Sequence, residues 1–313
     1  MNFLKLLFLV IIVSALFLFF QSTPEKIRIG LNQWPGYEPV YAAKVKGLYK
    51  KAGLNVEVFE YGSLNDVKTA YERGHIDVMC STLIEMIKTY GDAGINSKVL
   101  FATDFSNGPD VLIANDMPKS GELSGKRIGV ELGTLGVYMI HRALEINNLQ
   151  LSDITIVPLD QTDMLNALQT NIIDVAVTYP PISASILKTV SNSKVIFSSK
   201  DIPYEVIDVL VAKDSVLLDH PDLKKDLLGV WDEALELLVT DRETMVKIMA
   251  EREKVSPAEF EDFMIGMVYL NLEEQSKLFG PDKLLRKAIE STINILYVDG
   301  ELKTKISPDL FIQ

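Results

Sequence analysis

Arg28-Ile29-Gly30-Leu31 returns 99 residues later as Arg127-Ile128-Gly129-Val130, and this second copy decides how the chain divides. Two more blocks repeat in the same order. Val67, Ala70-Tyr71, Gly74 and Ile76-Asp77-Val78 return as Met164, Ala167-Leu168, Asn171 and Ile173-Asp174-Val175, 97 residues on. Asp110-Val111-Leu112-Ile113-Ala114 returns as Asp208-Val209-Leu210-Val211-Ala212, 98 residues on. Solenoid units run about 20–50 residues, so this period is too long for them. It suits a duplicated domain. Two similar lobes leave a cleft in which a small molecule can be held.

The sequence around the repeats predicts an α/β fold. Strands are expected over 26–31, 55–60, 76–80 and 99–103 in the first copy. In the second they are expected over 127–131, 155–159, 173–178 and 195–198. Amphipathic helices fall between them, which predicts two doubly wound lobes with parallel sheets covered on both faces. Gly74 closes a helix where a left-handed residue is wanted, and Asn171 meets the same need in the second copy. The third block is read as two strands, 110–114 and 208–212, that cross between the lobes. Lobe 1 is then 26–107 with 213–313, and lobe 2 is 108–212. After Ala212 the pattern is helical only, a tail that returns to lobe 1. Trp231, Ala234, Leu235 and Leu238 form its apolar stripe, and Ser256-Pro257-Ala258-Glu259 is a capping box.

The chain of 313 residues has 31 basic and 43 acidic side chains, with no basic cluster, so nucleic acid is not an expected partner. The single cysteine, Cys80, excludes an internal disulfide and any multi-cysteine metal site. It reads as a small buried hydrophobe. No nucleophile–base pair or metal-ligand spacing involves His75, His141 or His220, so no catalytic residue, metal or cofactor is assigned. Residues 1–25 are a separate piece. The run 6–20 is apolar apart from Ser14 and follows Lys5, which fits either a signal-peptide core or a short membrane anchor. Export is expected, to the periplasm, with the segment either cleaved or kept as an inner-membrane tether.

Ligands of doubly wound sheets sit beyond the carboxyl ends of the strands. That rule selects Trp34 and Tyr37 after the first strand, Ser81 and Thr82 after the third, and Asp104 after the fourth. In the second lobe it selects Gly133, Thr134 and Tyr179. Gly133-Thr134 opens a helix whose free N–H groups favour an anion, and Ser81-Thr82 can act likewise. Plain helix capping is the competing role for both. Trp34 can cover a ligand or pack on its own loop, and Tyr37 can touch ligand or staple a helix start. Tyr179 is presented by Pro180-Pro181. Asp110 and Asp208 either bond backbone at the crossover or face the ligand. Carboxylates beside anion-friendly helix starts suggest a ligand with a positive end and a negative or polar end. An amine-bearing sulfonate or carboxylate, or an aminopyrimidine, has that form.

Trp34-Pro35-Gly36-Tyr37-Glu38-Pro39 with Ala42, Gly47-Leu48-Tyr49 and Ala52-Gly53-Leu54-Asn55-Val56 resembles the opening of the nitrate/sulfonate/taurine-type periplasmic binding proteins, the group related to NMT1/THI5 and SsuA/TauA sequences. The likeness continues through Ser124-Gly125-Lys126-Arg127-Ile128-Gly129-Val130, Gly133-Thr134, Asp174-Val175-Ala176-Val177-Thr178-Tyr179 and His220-Pro221-Asp222-Leu223. It implies a type II binding-protein fold that closes on a small-molecule ligand and delivers it to the permease subunits of an ABC importer, acting as a monomer. A membrane-tethered sensor input is the alternative. A THI5-like pyrimidine synthase is a remote one, because the cysteine-rich motif of that branch is absent.

Overall fold

A computed structural model describes residues 26–116, 122–280 and 284–312. The apolar run over 6–20 lies outside the described residues, and among those no helix is long and apolar enough to cross a membrane. Eleven strands are found among them, in two sheets. They are β1 (Ile27–Leu31), β2 (Val56–Glu60), β3 (Val78–Thr82), β4 (Ser97–Ser106), β5 (Val111–Ala114), β6 (Arg127–Val130), β7 (Thr155–Pro158), β8 (Val175–Thr178), β9 (Lys194–Ser198), β10 (Ile207–Lys213) and β11 (Met267–Tyr269). The first sheet runs β11-β4-β10-β3-β1-β2 and the second β7-β6-β8-β5-β9. Helices pack on both faces, giving the two-lobed α/β architecture.

The repeated blocks turn out to be partners in space. Arg28 opens β1, and its guanidinium grips Asp77 just before β3, with Nε to Oδ2 at 2.9 Å and Nη2 to Oδ1 at 2.6 Å. The Arg28 N–H donates to the same carboxylate at 2.8 Å, and the Asp77 N–H donates back to the Arg28 carbonyl at 2.8 Å. Arg127 and Asp174 repeat all four bonds at 3.1, 2.8, 2.8 and 2.8 Å. The glycines are explained in the same way. A Cβ on Gly30 would lie 2.4 Å from Ile76 Cδ1, and one on Gly129 would lie 2.6 Å from Ile173 Cδ1. Each glycine makes room for the isoleucine that precedes the locking aspartate. Gly74 (φ 74°) and Asn171 (φ 57°) both adopt the left-handed conformation that ends the preceding helix.

The sheets are mixed rather than parallel throughout. β1, β2 and β3 are parallel, as are β6, β7 and β8. β10 lies between β3 and β4 and runs against both, and β5 lies likewise between β8 and β9. The reversal has a simple cause. Each of these strands enters its sheet from the other lobe, at the edge where the parallel strands end, and must run backwards. The crossings themselves are therefore the residues just upstream, 107–110 and 199–206, while 111–114 and 207–213 lie within the sheets. The two crossings bond to each other through the Gly108 N–H to Ser199 Oγ at 2.6 Å, and Ser106 Oγ, at the end of β4, lies 2.8 Å from the same Ser199 Oγ.

Three differences from the sequence reading bear on the site. β3 runs on to Thr82, so Ser81 and Thr82 belong to the strand rather than follow it. β4 extends to Ser106 because it is paired by β10 on one side and β11 on the other, which places Asp104 inside it. The tail is not purely helical, since β11 adds to the edge of the first sheet. The helices Leu223–Thr240, Arg242–Glu253 and Pro257–Phe263 share one core with β1 and the Glu38–Val45 helix. Trp231, Ala234 and Leu238 are buried there and Leu235 packs at its margin. The last helix, Leu284–Val298, reaches further. Its Leu285, Ile289 and Ile293 join a core that includes Ile87 of lobe 1 and Tyr138 of lobe 2.

Candidate functional site

The reversed strands bring the repeated aspartates to the cleft. Asp110 and Asp208 stand at the amino ends of β5 and β10, beside the carboxyl ends of the parallel strands. Both line the space between the lobes, together with Trp34, Tyr37, Thr134 and Tyr179. That space is narrow, about 30 Å³, room for one or two waters. Thr82 also lines it. Asp104 lies one layer behind. Its cross-strand partner is Asp208, and a Cβ on Gly36 would fall 2.0 Å from its Oδ2 and 2.5 Å from Trp34 Nε1. Ser81 is buried without lining the cleft, and Gly133 does not line it either.

The aromatic residues meet across the lobes. Trp34 and Tyr179 pack edge to face, with ring centroids 5.8 Å apart. Asn32, the residue after β1, donates from Nδ2 to the Tyr179 hydroxyl at 3.2 Å. Tyr37 is fully buried and its hydroxyl donates to Asp208 Oδ1. Tyr37 thus touches both its helix start and the cleft, which joins the two roles weighed for it.

Thr82 is a cap as well as a wall. Its hydroxyl accepts from the Ile84 N–H at 3.1 Å, and Glu85 closes the box by accepting from the Thr82 N–H at 2.9 Å. The other Glu85 oxygen crosses to lobe 2 and accepts from the Leu135 N–H at 2.6 Å. The helix start at Gly133-Thr134 therefore already holds a carboxylate of the opposite lobe. Glu131 of lobe 2 returns the contact. Its carboxylate lies beside Ser63 and Asn65, at the start of the Leu64–Glu72 helix of lobe 1, with neither oxygen in a hydrogen bond.

Burial governs the titration of this group. It pushes Asp104 up to about 7, against the opposing bonds of Thr103 and Asp208. Asp110 rises to about 7 for the same reason, opposed by the Ser106 hydroxyl and assisted by the Glu85 charge. Glu131 also rises to about 7 by burial. Asp208 is pushed well above the carboxylate range by burial and by the charges of Asp104 and Asp110. Two facing carboxylates in a buried site cannot both ionise without cost, which holds Asp104 and Asp208 above the ordinary carboxylate range.

Several cleft residues escaped the sequence reading. Asn32 follows β1 directly, and Gln161 follows β7 by three residues. The strand-end rule covers both, but neither stands out as an amide. Glu85 sits within a helix and carries no sequence signal for its reach across the cleft.

The profile of a family described as NMT1/THI5-like matches residues 34–244. A Brucella abortus (strain 2308) protein whose name describes it as a binding protein is 23% identical over 291 residues, covering 92% of this chain and 89% of the relative. Two solved structures share the fold. One is the alkanesulfonate-binding protein SsuA from Xanthomonas axonopodis pv. citri bound to MOPS, with TM-score 0.79 and 16% identity over 93% of this chain and 99% of that one. The other is the periplasmic aliphatic sulphonate binding protein SsuA from Escherichia coli, with TM-score 0.74 and 18% identity over 93% and 92%.

Proposed function

Because the chain belongs to the NMT1/THI5-like family, we propose that it is the solute-capturing subunit of an ABC importer, holding a small polar organic molecule between its lobes. One observation carries this reading. Trp34 and Tyr37 of lobe 1, Asp110, Thr134 and Tyr179 of lobe 2, and Asp208 just past the second crossing converge on one narrow space, at the strand ends where α/β folds bind ligands. The space is too small for an organic solute as the lobes stand, so loading requires them to part about the crossings at 107–110 and 199–206. Lobe 1 is 26–107 with 213–313, lobe 2 is 108–212, and the chain works as a monomer. Closure about the solute presents a matched pair of lobe surfaces to the permease in the inner membrane. The apolar run over 6–20 directs the chain to the periplasm.

The test is a thermal-shift panel of small polar solutes, followed by small-angle scattering. At least one solute is expected to raise Tm and to shrink the radius of gyration. A panel with no stabilising solute at millimolar concentration, or a stabilising one that leaves the envelope unchanged, would count against capture by closure. The run over 6–20 also favours a second reading. Kept uncut, it tethers the clamp to the membrane as the input of a sensor. The intact mass of the native protein separates the two, because a freely diffusing carrier has lost this segment.

A further inference from the structure

We infer that the captured solute is an organic cation carrying several N–H donors, of the amidine or guanidine kind, and that simple anions are poor ligands. The inference rests on the capture reading above. Its first support is the polarity of the unsatisfied atoms. Asn32 Oδ1, Gln161 Oε1, Asp110 Oδ2 and Asp208 Oδ2 line the cleft, are buried and have no hydrogen-bond partner. All four are acceptors, the two carboxylates when ionised, against one unpartnered donor lining the same space among the described residues, Trp34 Nε1. Asn32 and Gln161 are only 2% and 3% exposed, so bulk solvent reaches neither, and the cleft has room for one or two waters at most. Buried acceptors without donors cost free energy, and a ligand that brings N–H groups relieves that cost.

Charge points the same way. No lysine, arginine or histidine lines the cleft among the described residues. Arg252, behind Asn32, is already bound to Glu38 and to the Asn32 carbonyl at 3.1 Å. Asp104, Asp110 and Asp208 gather at one end with no cation among them. A positive ligand lets these carboxylates ionise together, whereas a negative one adds to their repulsion.

The third support is that the sites suited to an anion are filled. The Leu135 N–H, at a helix start, is bound by Glu85, and the Glu131 carboxylate already lies beside another, at Ser63 and Asn65. A sulfonate or nitrate would have to displace a carboxylate of the protein. The edge-to-face Trp34 and Tyr179 rings complete a wall on which a flat cation can lie.

Isothermal titration of the full chain at pH 8 and low salt tests the inference. Benzamidine, methylguanidine and agmatine are the cationic probes, and taurine, ethanesulfonate and nitrate the others. At least one cationic probe is expected to bind tenfold or more tightly than any of the others. Asp110→Asn and Asp208→Asn, both isosteric, are expected to weaken that binding at least tenfold while circular dichroism and Tm show a folded chain. Tighter binding of ethanesulfonate or nitrate overturns the cation inference and leaves capture standing. So does unchanged cation affinity in a folded Asp110→Asn variant. Binding of neither set, with a scattering envelope that no solute alters, defeats capture itself and the cation inference with it.

Discussion

The two lobes agree where the chain must fold and differ where it meets the cleft. In both, an arginine opening one strand locks onto an aspartate preceding the next, and a glycine accommodates the adjoining isoleucine. In both, a strand from the other lobe runs backwards through the sheet and delivers an aspartate to the cleft edge. Beyond these points the copies diverge. Lobe 1 supplies Trp34, Tyr37 and a second aspartate, Asp104, whereas lobe 2 supplies Thr134, Gln161 and Tyr179. Duplication kept the scaffold and released the rim. A pair of like halves can therefore hold the unlike ends of one solute.

The largest effect expected from this contrast is on pH dependence. Folded values near 7 for Asp104 and Asp110, against ordinary values near 4, mean that the folded chain holds these protons more tightly than the unfolded chain. The stability they contribute is full below pH 4 and is lost as pH rises through 7. The ligand-free protein is thus expected to lose about 2–3 kcal/mol per group between pH 5 and 8. Denaturant melts at the two values measure it. Asp104→Asn in lobe 1 and Asp110→Asn in lobe 2 should each flatten the slope. A slope unaffected by either would remove the rim carboxylates from the account.

Next comes the shared lock. Asp77→Ala is expected to cost about 2 kcal/mol, since it leaves a buried backbone N–H and a guanidinium unanswered. Asp174→Ala should cost about half that. The bonds are the same, but the Asp174 and Arg127 side chains are 32% and 42% exposed against 16% and 35% for Asp77 and Arg28, so water replaces more of them. Urea midpoints of the two variants compare the locks. Equal losses would mean that exposure does not set their value.

Much of this was legible in the sequence, and the part that was not has a physical cause. Arg28, Asp77 and their copies stood out because each recurs 97 to 99 residues on, and the scaffold needs the same lock in both lobes. The left-handed turn kept at Gly74 and Asn171 is the same kind of signal. The strand directions were harder. Alternating strand and helix reads as parallel, and nothing in Asp110–Ala114 announces that the chain arrives from another lobe. Asp104 was placed beyond its strand because its pairing with β10 and β11 involves residues more than 100 positions away. Glu85 escaped for the same reason. A carboxylate that caps its own helix looks complete, and its second oxygen finds Leu135 only through the tertiary fold.

Trp34→Ala and Tyr179→Ala come next in size. Each removes one ring of the edge-to-face pair, and each is expected to weaken binding of the best cationic probe about tenfold. Circular dichroism should be unchanged. Titration calorimetry measures both, and the pair sharpens the contrast between lobes. Equal losses mean that the solute lies against both walls. A loss confined to Trp34→Ala would make lobe 1 the main holder, with Tyr179 acting only as a strut for Asn32.

The smallest effect is expected at the two carboxylates that reach across. Glu85 of lobe 1 holds the helix start of lobe 2, and Glu131 of lobe 2 lies beside a helix start of lobe 1. Glu85→Gln keeps an oxygen for the capping box and replaces the other by an NH2, which cannot accept from the Leu135 N–H. Its stability cost should stay within about 1 kcal/mol, because the lost attraction is offset by the burial penalty that the charge carried. The relevant measurement is the shape of the ligand-free protein in solution. Either variant should shift scattering toward a more open envelope, and the double variant further than each alone. If Glu85→Gln opens the lobes and Glu131→Gln does not, the reciprocity is only geometric. The hold between the lobes then rests on the helix start at Leu135 alone, the place where an anionic ligand would otherwise have bound.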